Sequence, residues 1–167
     1  GDARIRYAIG TMDLTSITAF STRDILVVRD ATALTASITG GSIGDPESVY
    51  TLDAPLDDAT KVNGFTQELR LEGGAGGAQR LRWLVGGFFS TQKRDYGQSL
   101  IVNGYQDATG DNTVGLRAAK DELFFSDLSY NLDQFALFGE GTWAVGNKLD
   151  LTAGLRYYNF NEDRDQV

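Results

Sequence analysis

Residues 133–158 read DQFALFGEGTWAVGNKLDLTAGLRYY and contain two alternating segments on either side of Gly146-Asn147. Large apolar or small residues alternate there with a polar set, which consists of Glu140, Thr142, Asp150, Thr152 and Arg156. Successive side chains of a β-strand point to opposite faces, and a Gly-Asn pair suits a tight turn. The stretch therefore predicts a hairpin with one apolar face and one wet face. A soluble sandwich could bury that apolar face, whereas a transmembrane β-barrel would turn it to lipid.

The composition limits what the chain can do. Its 167 residues carry a net charge of −8 and include no cysteine and no histidine. This sequence therefore supplies no disulfide, thiolate nucleophile, Ser-His triad or imidazole ligand for metal or haem. It has no apolar run of about 18 residues that would predict a transmembrane helix, and its first ten residues lack the apolar core of a signal peptide. We expect one domain and, because phosphate binding needs clustered Lys and Arg, no nucleic-acid partner.

Acidic residues concentrate in two stretches. Residues 29–63 hold six acidic side chains against two basic ones, and residues 94–130 hold six against three. Together they carry −7 of the net charge, so the alternating segments are almost neutral, as strands in an apolar layer should be. We expect two long, partly structured external loops. Residues 32–43 fit a flexible loop or a β-extension, and Asn103-Gly104 within residues 100–106 predicts a small extra hairpin.

Six strand candidates occur as three pairs. Residues 4–9 precede a turn at residues 10–13 and a strand from Leu14 toward Val28. Residues 65–72 and 81–92 flank the glycine-rich turn GGAGGAQ, and the third pair is the hairpin of residues 133–158. Short turns within pairs and long polar segments between them are the asymmetry of outer-membrane barrels. Residues 14–20 fit either register, so their faces stay open.

Alternation assigns the other side chains to two faces. The apolar face, which a membrane barrel would turn to lipid, includes Leu69, Leu71, Trp83, Val85, Phe89, Phe135, Leu137, Trp143, Leu151, Leu155 and Tyr157. The polar face, which would line a wet lumen, includes Glu68, Arg70, Glu72, Arg82, Glu140, Thr142, Asp150 and Arg156. The exceptions are Gln67 on the apolar face and Leu84, Phe88, Phe138 and Tyr158 on the polar face. Trp83 and Trp143 lie near the short turns, where an aromatic girdle is expected.

Five strings, in this order and spacing, resemble the middle of the barrel of a TonB-dependent receptor. They are LTSITAF (14–20), FTQELRL (65–71), WLVGGFF (83–89), FALFGEGTW (135–143) and LDLTAGLRYY (149–158). The resemblance implies an all-β fold in which an antiparallel transmembrane β-barrel segment supplies about six strands of a 22-stranded barrel. It also implies an outer-membrane location in a Gram-negative bacterium.

The resemblance further implies a set of partners and a function. The partners are outer-membrane lipid and lipopolysaccharide, the protein's own plug domain and an inner-membrane TonB-type energy coupler. The function is uptake of a scarce small-molecule nutrient, such as a ferric siderophore, cobalamin, a metal complex or an oligosaccharide, with no catalysis and no cofactor.

Several features of the family are missing from this sequence. It contains no plug-like segment, and six strands cannot close, because the smallest membrane barrels have about eight. Open sheet edges in lipid would leave unsatisfied backbone groups, each costing several kcal/mol. We therefore expect residues 1–167 to be part of a single barrel domain whose plug and remaining strands lie elsewhere. A soluble β-sandwich that binds carbohydrate and a passive porin or autotransporter barrel remain alternatives.

Four features could suggest chemistry, and each is weighed against a plainer interpretation. Polar-face charges could contact substrate or plug, or could form cross-strand ion pairs along a wet lumen. Residues 107–112 offer oxygen ligands for Ca²⁺ that could bridge to lipopolysaccharide, but they lack EF-hand spacing and fit a solvated acidic turn. GGAGGAQ lacks the helix and the Lys-Ser/Thr ending of a phosphate loop. Nothing in the sequence places Glu68 and Glu140 as a catalytic acid–base pair.

Overall fold

In a computed structural model of the chain, residues 1–74, 80–115, 117–146 and 148–166 are described. Six antiparallel strands form one sheet in sequence order, and the sheet is not closed. The strands are β1 (Asp2–Ile9), β2 (Met12–Asp30), β3 (Pro55–Gly73), β4 (Leu81–Ile101), β5 (Glu122–Val145) and β6 (Leu149–Gln166). The all-β class and the three consecutive hairpins predicted from alternation are therefore confirmed.

The first hairpin turns more tightly than the sequence predicted. Ile9 pairs with Met12, so the turn contains only Gly10 and Thr11, while Met12 and Asp13 belong to β2. Gly10 has a φ of 61°, which glycine adopts without the steric cost that a side chain would add. A two-residue hairpin turn with positive φ matches the twist of its strands, and that explains the shorter connection.

The strands are also longer than predicted. β2 to β6 contain 18 to 24 residues each, whereas crossing an apolar layer needs only about 9–11. The extra residues mix apolar and polar side chains on both faces, as in residues 23–30 (RDILVVRD) and 122–127 (ELFFSD), so hydrophobic alternation could not mark them. Gly146 starts the last turn with a φ of 75°. Its partner Asn147 lies outside the described residues, as do residues 75–79 of the glycine-rich turn.

The two long connections are helical rather than extended. Residues 31–54 contain α1 (Thr32–Ile38), a π-helical turn (Thr39–Ile43) and a 3₁₀ turn (Glu47–Val49), so the predicted alternative of a β-extension is wrong. The predicted hairpin around Asn103-Gly104 is also wrong, because Gly104 instead precedes α2 (Tyr105–Thr109). The carboxylate of Asp121 accepts the backbone N–H groups of Gly104 and Gln106, and these bonds favour a helical start over a strand.

The chain divides into two compact units. The first contains residues 1–22, 62–93 and 130–163, and the second contains residues 23–61, 94–129 and 164–167. In the second unit, the two connections pack together around a small core of Val49, Ala54, Val102 and Tyr105. Across the described ranges, no helix is both long and apolar enough to span a membrane.

Candidate functional site

An apolar face is formed by alternate residues of the first unit. The ring of Phe20 lies 4.9 Å from that of Phe65, which lies 6.4 Å from that of Phe89, so β2, β3 and β4 share this face. β5 joins it because Leu137 packs beside Gly87 and Gly139 lies beside Val85. The apolar face therefore extends across neighbouring strands as one continuous surface.

Most residues predicted for the apolar face are exposed large hydrophobic side chains. Leu137 is 51% exposed, and the same class includes Leu69, Val85, Phe89, Phe135, Trp143, Leu151, Leu155 and Tyr157. Leu71 and Trp83 are only partly exposed, and the indole of Trp83 lies over Gly73. A soluble monomer rarely leaves so large a contiguous apolar surface uncovered.

On β4 and β6 the apolar face ends after a similar number of residues. On β4 it runs from Leu81 to Phe89, and on β6 from Leu149 to Tyr157, which is nine residues in both cases. Beyond Phe89 the same face of β4 carries Thr91, Lys93 and Asp95. Nine residues match the roughly 9–11 that a tilted transmembrane strand needs.

Gln67, the predicted exception on the apolar face, is fully hydrogen-bonded. Its side-chain N–H groups donate to Ser16 Oγ at 3.0 Å and to the Glu68 carbonyl at 3.2 Å, and its Oε1 accepts the Thr18 hydroxyl at 2.6 Å. These contacts place Ser16 and Thr18 on the apolar face and so resolve the register of residues 14–20. We call Ser16, Thr18 and Gln67 the amide patch. Because each polar group of the amide has a partner, the patch avoids most of the cost of facing an apolar medium.

The polar face of the first unit carries ion pairs and hydroxyl contacts between strands. Arg82 of β4 donates to Asp150 of β6 at 2.9 Å, and the hydroxyls of Thr142 and Thr152 lie 2.9 Å apart. Arg70 pairs with Glu68 on the same strand, and Glu72 lies 3.8 Å from Arg6. Exposed pairs of this kind each stabilise the fold by about 1 kcal/mol or less. Charged and hydroxyl groups arranged in this way fit a face of the sheet that contacts water.

The aromatic exceptions on the polar face contact glycine and arginine. A Cβ at Gly86 would lie against the ring of Phe138, so this ring occupies the space above the glycine. The guanidinium of Arg156 lies 5.6 Å from the centre of the same ring. Tyr158 stacks with Phe160 at 6.4 Å. These rings thus pack within the polar face and do not change its register.

Glu68 and Glu140 are not brought together as a catalytic pair. β4 separates their strands, Glu68 is engaged by Arg70, and Glu140 packs beside Gly154 of β6. Glu140 and Glu72 both border a shallow depression that includes Arg82, Leu84 and Thr142. The depression is lined by both apolar and polar side chains, and among its lining residues no nucleophile lies beside a base.

The second unit contains a buried carboxylate that the sequence analysis did not single out. Asp58 is 5% exposed, and its Oδ1 accepts the Tyr96 hydroxyl at 3.0 Å and the Gln98 amide at 2.5 Å. Arg29 pairs with its other oxygen. A buried charge needs such partners to remain ionised. The signal in the sequence was the pair of Arg-Asp steps in residues 23–30 (RDILVVRD), which puts Arg29 on one side of β2, and periodicity of apolar residues does not capture it.

Hydrogen bonds to the carboxylates of Asp45 and Asp121 help to hold the packed connections of the second unit. Tyr105, 4% exposed, donates its hydroxyl to Asp45 at 2.8 Å, and burial together with this carboxylate raises the pKa of Tyr105 to about 12. The N–H groups of Gln106 and Gly104 hold the pKa of Asp121 below its ordinary value. Asp121 itself has a φ of 67°, which is uncommon for a residue with a side chain.

Residues 107–112, weighed in the sequence as Ca²⁺ ligands against a solvated acidic turn, are engaged internally. Asp107 pairs with Lys120 at 3.2 Å, and Asn112 accepts the side-chain amide of Gln106 at 2.9 Å. Among the described residues, no group of three or more acidic side chains is placed to hold a metal ion. Asp107 and Asn112 are thus engaged by Lys120 and Gln106 of the same connection.

The fold resembles that of a known receptor, although the sequence is distant. No protein-family model and no curated protein matches the chain. Among solved structures, it is similar to the ferric yersiniabactin uptake receptor FyuA from Yersinia pestis, with a TM-score of 0.62 and 11% sequence identity. The match covers 97% of this chain and 23% of that receptor, so this chain spans less than a quarter of the receptor's length. The sequence resemblance to a receptor barrel is thereby supported at the level of the fold.

Proposed function

We propose that the chain is a wall segment of an outer-membrane receptor that takes up a scarce nutrient with energy from a TonB-type coupler. The observation that carries the proposal is the continuous apolar face, about nine residues long on β4 and β6, opposite a face of ion pairs. In the described part of the chain there is one sheet, so no second sheet covers that face. Lipid is the medium that suits it.

The wall has three roles in this function. Its apolar face holds the barrel in the membrane, and its polar face lines the space where a plug domain sits and along which nutrient passes. The connections of residues 31–54 and 102–121 form a packed body that is suited to external capture of ligand, because its small core gives it a fixed shape. In these roles the wall binds nutrient and lets it pass without changing it chemically, so we propose a transporter and not an enzyme.

The distant likeness to the ferric yersiniabactin uptake receptor FyuA supports an active receptor over a passive pore. By this resemblance the plug domain and the remaining strands belong to other parts of a longer protein. The nutrient class remains among those expected from the sequence, namely a ferric siderophore, cobalamin, a metal complex or an oligosaccharide.

Uptake in cells tests the proposal. The full-length gene is deleted and restored in its own bacterium, and growth is measured on limiting iron, cobalamin or a single sugar, with the coupler present and with it deleted. We expect restored growth on one nutrient only when the coupler is present. Growth that is independent of the coupler would favour a passive pore, and a protein found outside the outer membrane would overturn the proposal.

A further inference from the structure

Charged side chains of the second unit are sorted by type between the two faces of its strands. One face carries Arg23, Arg29, Arg94 and Arg164 against Asp58, a net charge of +3. The opposite face carries Lys61 against Asp24, Asp30, Asp57, Asp95, Glu122, Asp127 and Asp165, a net charge of −6; Glu122 borders the same groove as Asp57 and Asp127. The chain as a whole is acidic, so a positive face inside it is not expected from composition.

Contacts within the second unit establish the positive face. Arg29 pairs with Asp58, Tyr96 donates to the same carboxylate at 3.0 Å, and the guanidinium of Arg94 lies 5.6 Å from the centre of the Tyr96 ring. Arg23 lies on the same face as Arg29, because residues 23, 25, 27 and 29 are every second position of β2. We call Arg23, Arg29, Arg94 and Arg164 the arginine face.

Contacts of the acidic residues place them on the other side. Asp24 lies 3.6 Å from Lys61, Ser129 donates to Asp95 at 2.8 Å, and Asp165 borders the same groove as these residues. Because Arg164 precedes Asp165 on β6, it points to the opposite side, with the arginine face. The sorting thus involves five of the strands, β2 to β6.

Apolar side chains lie between the arginines. Ile25 and Val27 lie on the same face of β2, between Arg23 and Arg29. They are 45% and 46% exposed.

We propose that the arginine face is a binding surface for an anionic organic ligand with flat, conjugated groups. Planar guanidinium groups bind carboxylates and other chelating oxyanions in pairs of hydrogen bonds and also stack on π systems. The exposed Ile25 and Val27 supply apolar contact beneath such a ligand, and the positive potential attracts it. This inference rests on the proposed uptake function, and within it selects an anionic metal chelate over neutral cobalamin or neutral sugar.

The arginines are not equivalent in this role. Arg29 is committed to the buried Asp58 and positions that side of the surface. Arg23 makes no ion pair among the residues that the structure describes, and Arg94 contacts a ring and no carboxylate there. Arg23 and Arg94 are therefore the residues that we expect to meet the ligand directly.

Binding to the full-length protein in detergent tests this inference with two iron(III) chelates of similar size. One is a trianionic tris-catecholate and the other a neutral tris-hydroxamate, and quenching of tryptophan fluorescence reports binding. We expect the trianionic chelate to bind at least about tenfold more tightly at low salt, with affinity falling as salt rises. Arg23→Gln or Arg94→Gln should weaken it about tenfold, while Lys61→Gln, on the opposite face, should leave it unchanged.

Each other outcome overturns the inference. Equal or tighter binding of the neutral chelate, or an equal effect of Lys61→Gln, would show that the arginine face does not select charge, while leaving nutrient uptake intact. Binding of neither chelate, together with growth on cobalamin or a sugar that depends on the coupler, would also overturn the inference and keep the uptake function. Binding of neither chelate, with no coupler-dependent growth on iron, cobalamin or a sugar, would overturn both.

Discussion

Replacing Val85 by arginine should destabilise the protein far more than the same change at its neighbour Leu84. Both residues are aliphatic and adjacent on β4, but Val85 lies on the apolar face beside Gly139, and Leu84 lies on the polar face. The two changes therefore place the same charge at almost the same depth on opposite sides of one strand.

The position of Val85 sets the size of the effect. It lies four residues from each end of the apolar stretch from Leu81 to Phe89, or about 13 Å along the strand in each direction. A strand tilt of about 40° reduces this to about 10 Å along the membrane normal, close to half of the roughly 25 Å apolar band of such barrels. Arginine near the midplane should cost about 2–4 kcal/mol.

At Leu84 the new guanidinium would meet a polar surrounding. The depression that Leu84 borders also includes the carboxylates of Glu72 and Glu140, which can pair with the added charge. We therefore expect Leu84→Arg to change stability by less than about 1 kcal/mol. Unfolding of the full-length protein from lipid vesicles by guanidinium, followed by tryptophan fluorescence, measures both changes. Equal costs at the two positions would refute the assignment of lipid to one face and water to the other.

Further changes test other parts of the structure. Leu137→Arg and Leu151→Arg should also cost about 2–4 kcal/mol in the vesicle assay, whereas Thr142→Arg should be mild; a large effect at Thr142 would contradict a wet polar face. In the amide patch, Ser16→Ala or Thr18→Val should each lower the free energy of unfolding by about 1 kcal/mol, but should have almost no effect in a Gln67→Leu background, as a double-mutant cycle would show. Tyr105→Phe should loosen the packed connections by about 1 kcal/mol in hydrogen exchange of residues 102–110. Since the pKa of Tyr105 is raised to about 12, its stabilising contribution is complete below the unfolded pKa of about 10 and is lost as pH rises through 12; ionisation near pH 10 in near-ultraviolet absorbance would show that the burial is wrong. The pKa of Asp121 is lowered, so the protection of the Gly104 and Gln106 amides should be complete above the ordinary carboxyl pKa and fall as pH drops through the folded value; protection that does not change under acid would exclude this capping role.

The sequence predicted most reliably the part of the chain where one face is apolar. The hairpin about Gly146 was identified from strict alternation, because a shift of one residue would have moved every apolar side chain to the other face. The same logic failed for residues 14–20, where Ser16 and Thr18 share a face with Leu14. Their register became clear only through Gln67, a partner about fifty positions away that no local pattern indicates.

The strand extensions and the connections could not be predicted in the same way. Residues 55–62 and 94–101 carry polar groups on both sides, so they looked like loops by composition although they form strands. Asn103-Gly104 is a hairpin signal, yet the turn leads into α2 because Asp121 accepts two N–H groups there. The arginine face could not be predicted from the net charge of the chain, because the net charge adds together two faces that carry opposite signs.

The central claim is that one face of the sheet contacts lipid and the other contacts water. This chain contains no cysteine, and with any cysteine in the rest of the full-length protein replaced by alanine, Leu137→Cys or Thr142→Cys of β5 gives a single site for a spin label in the membrane-embedded protein. Power-saturation measurements then compare collision with apolar oxygen and with a water-soluble nickel complex. We predict that oxygen dominates at Leu137 and nickel at Thr142. Nickel access at Leu137 equal to that at Thr142 would contradict the account.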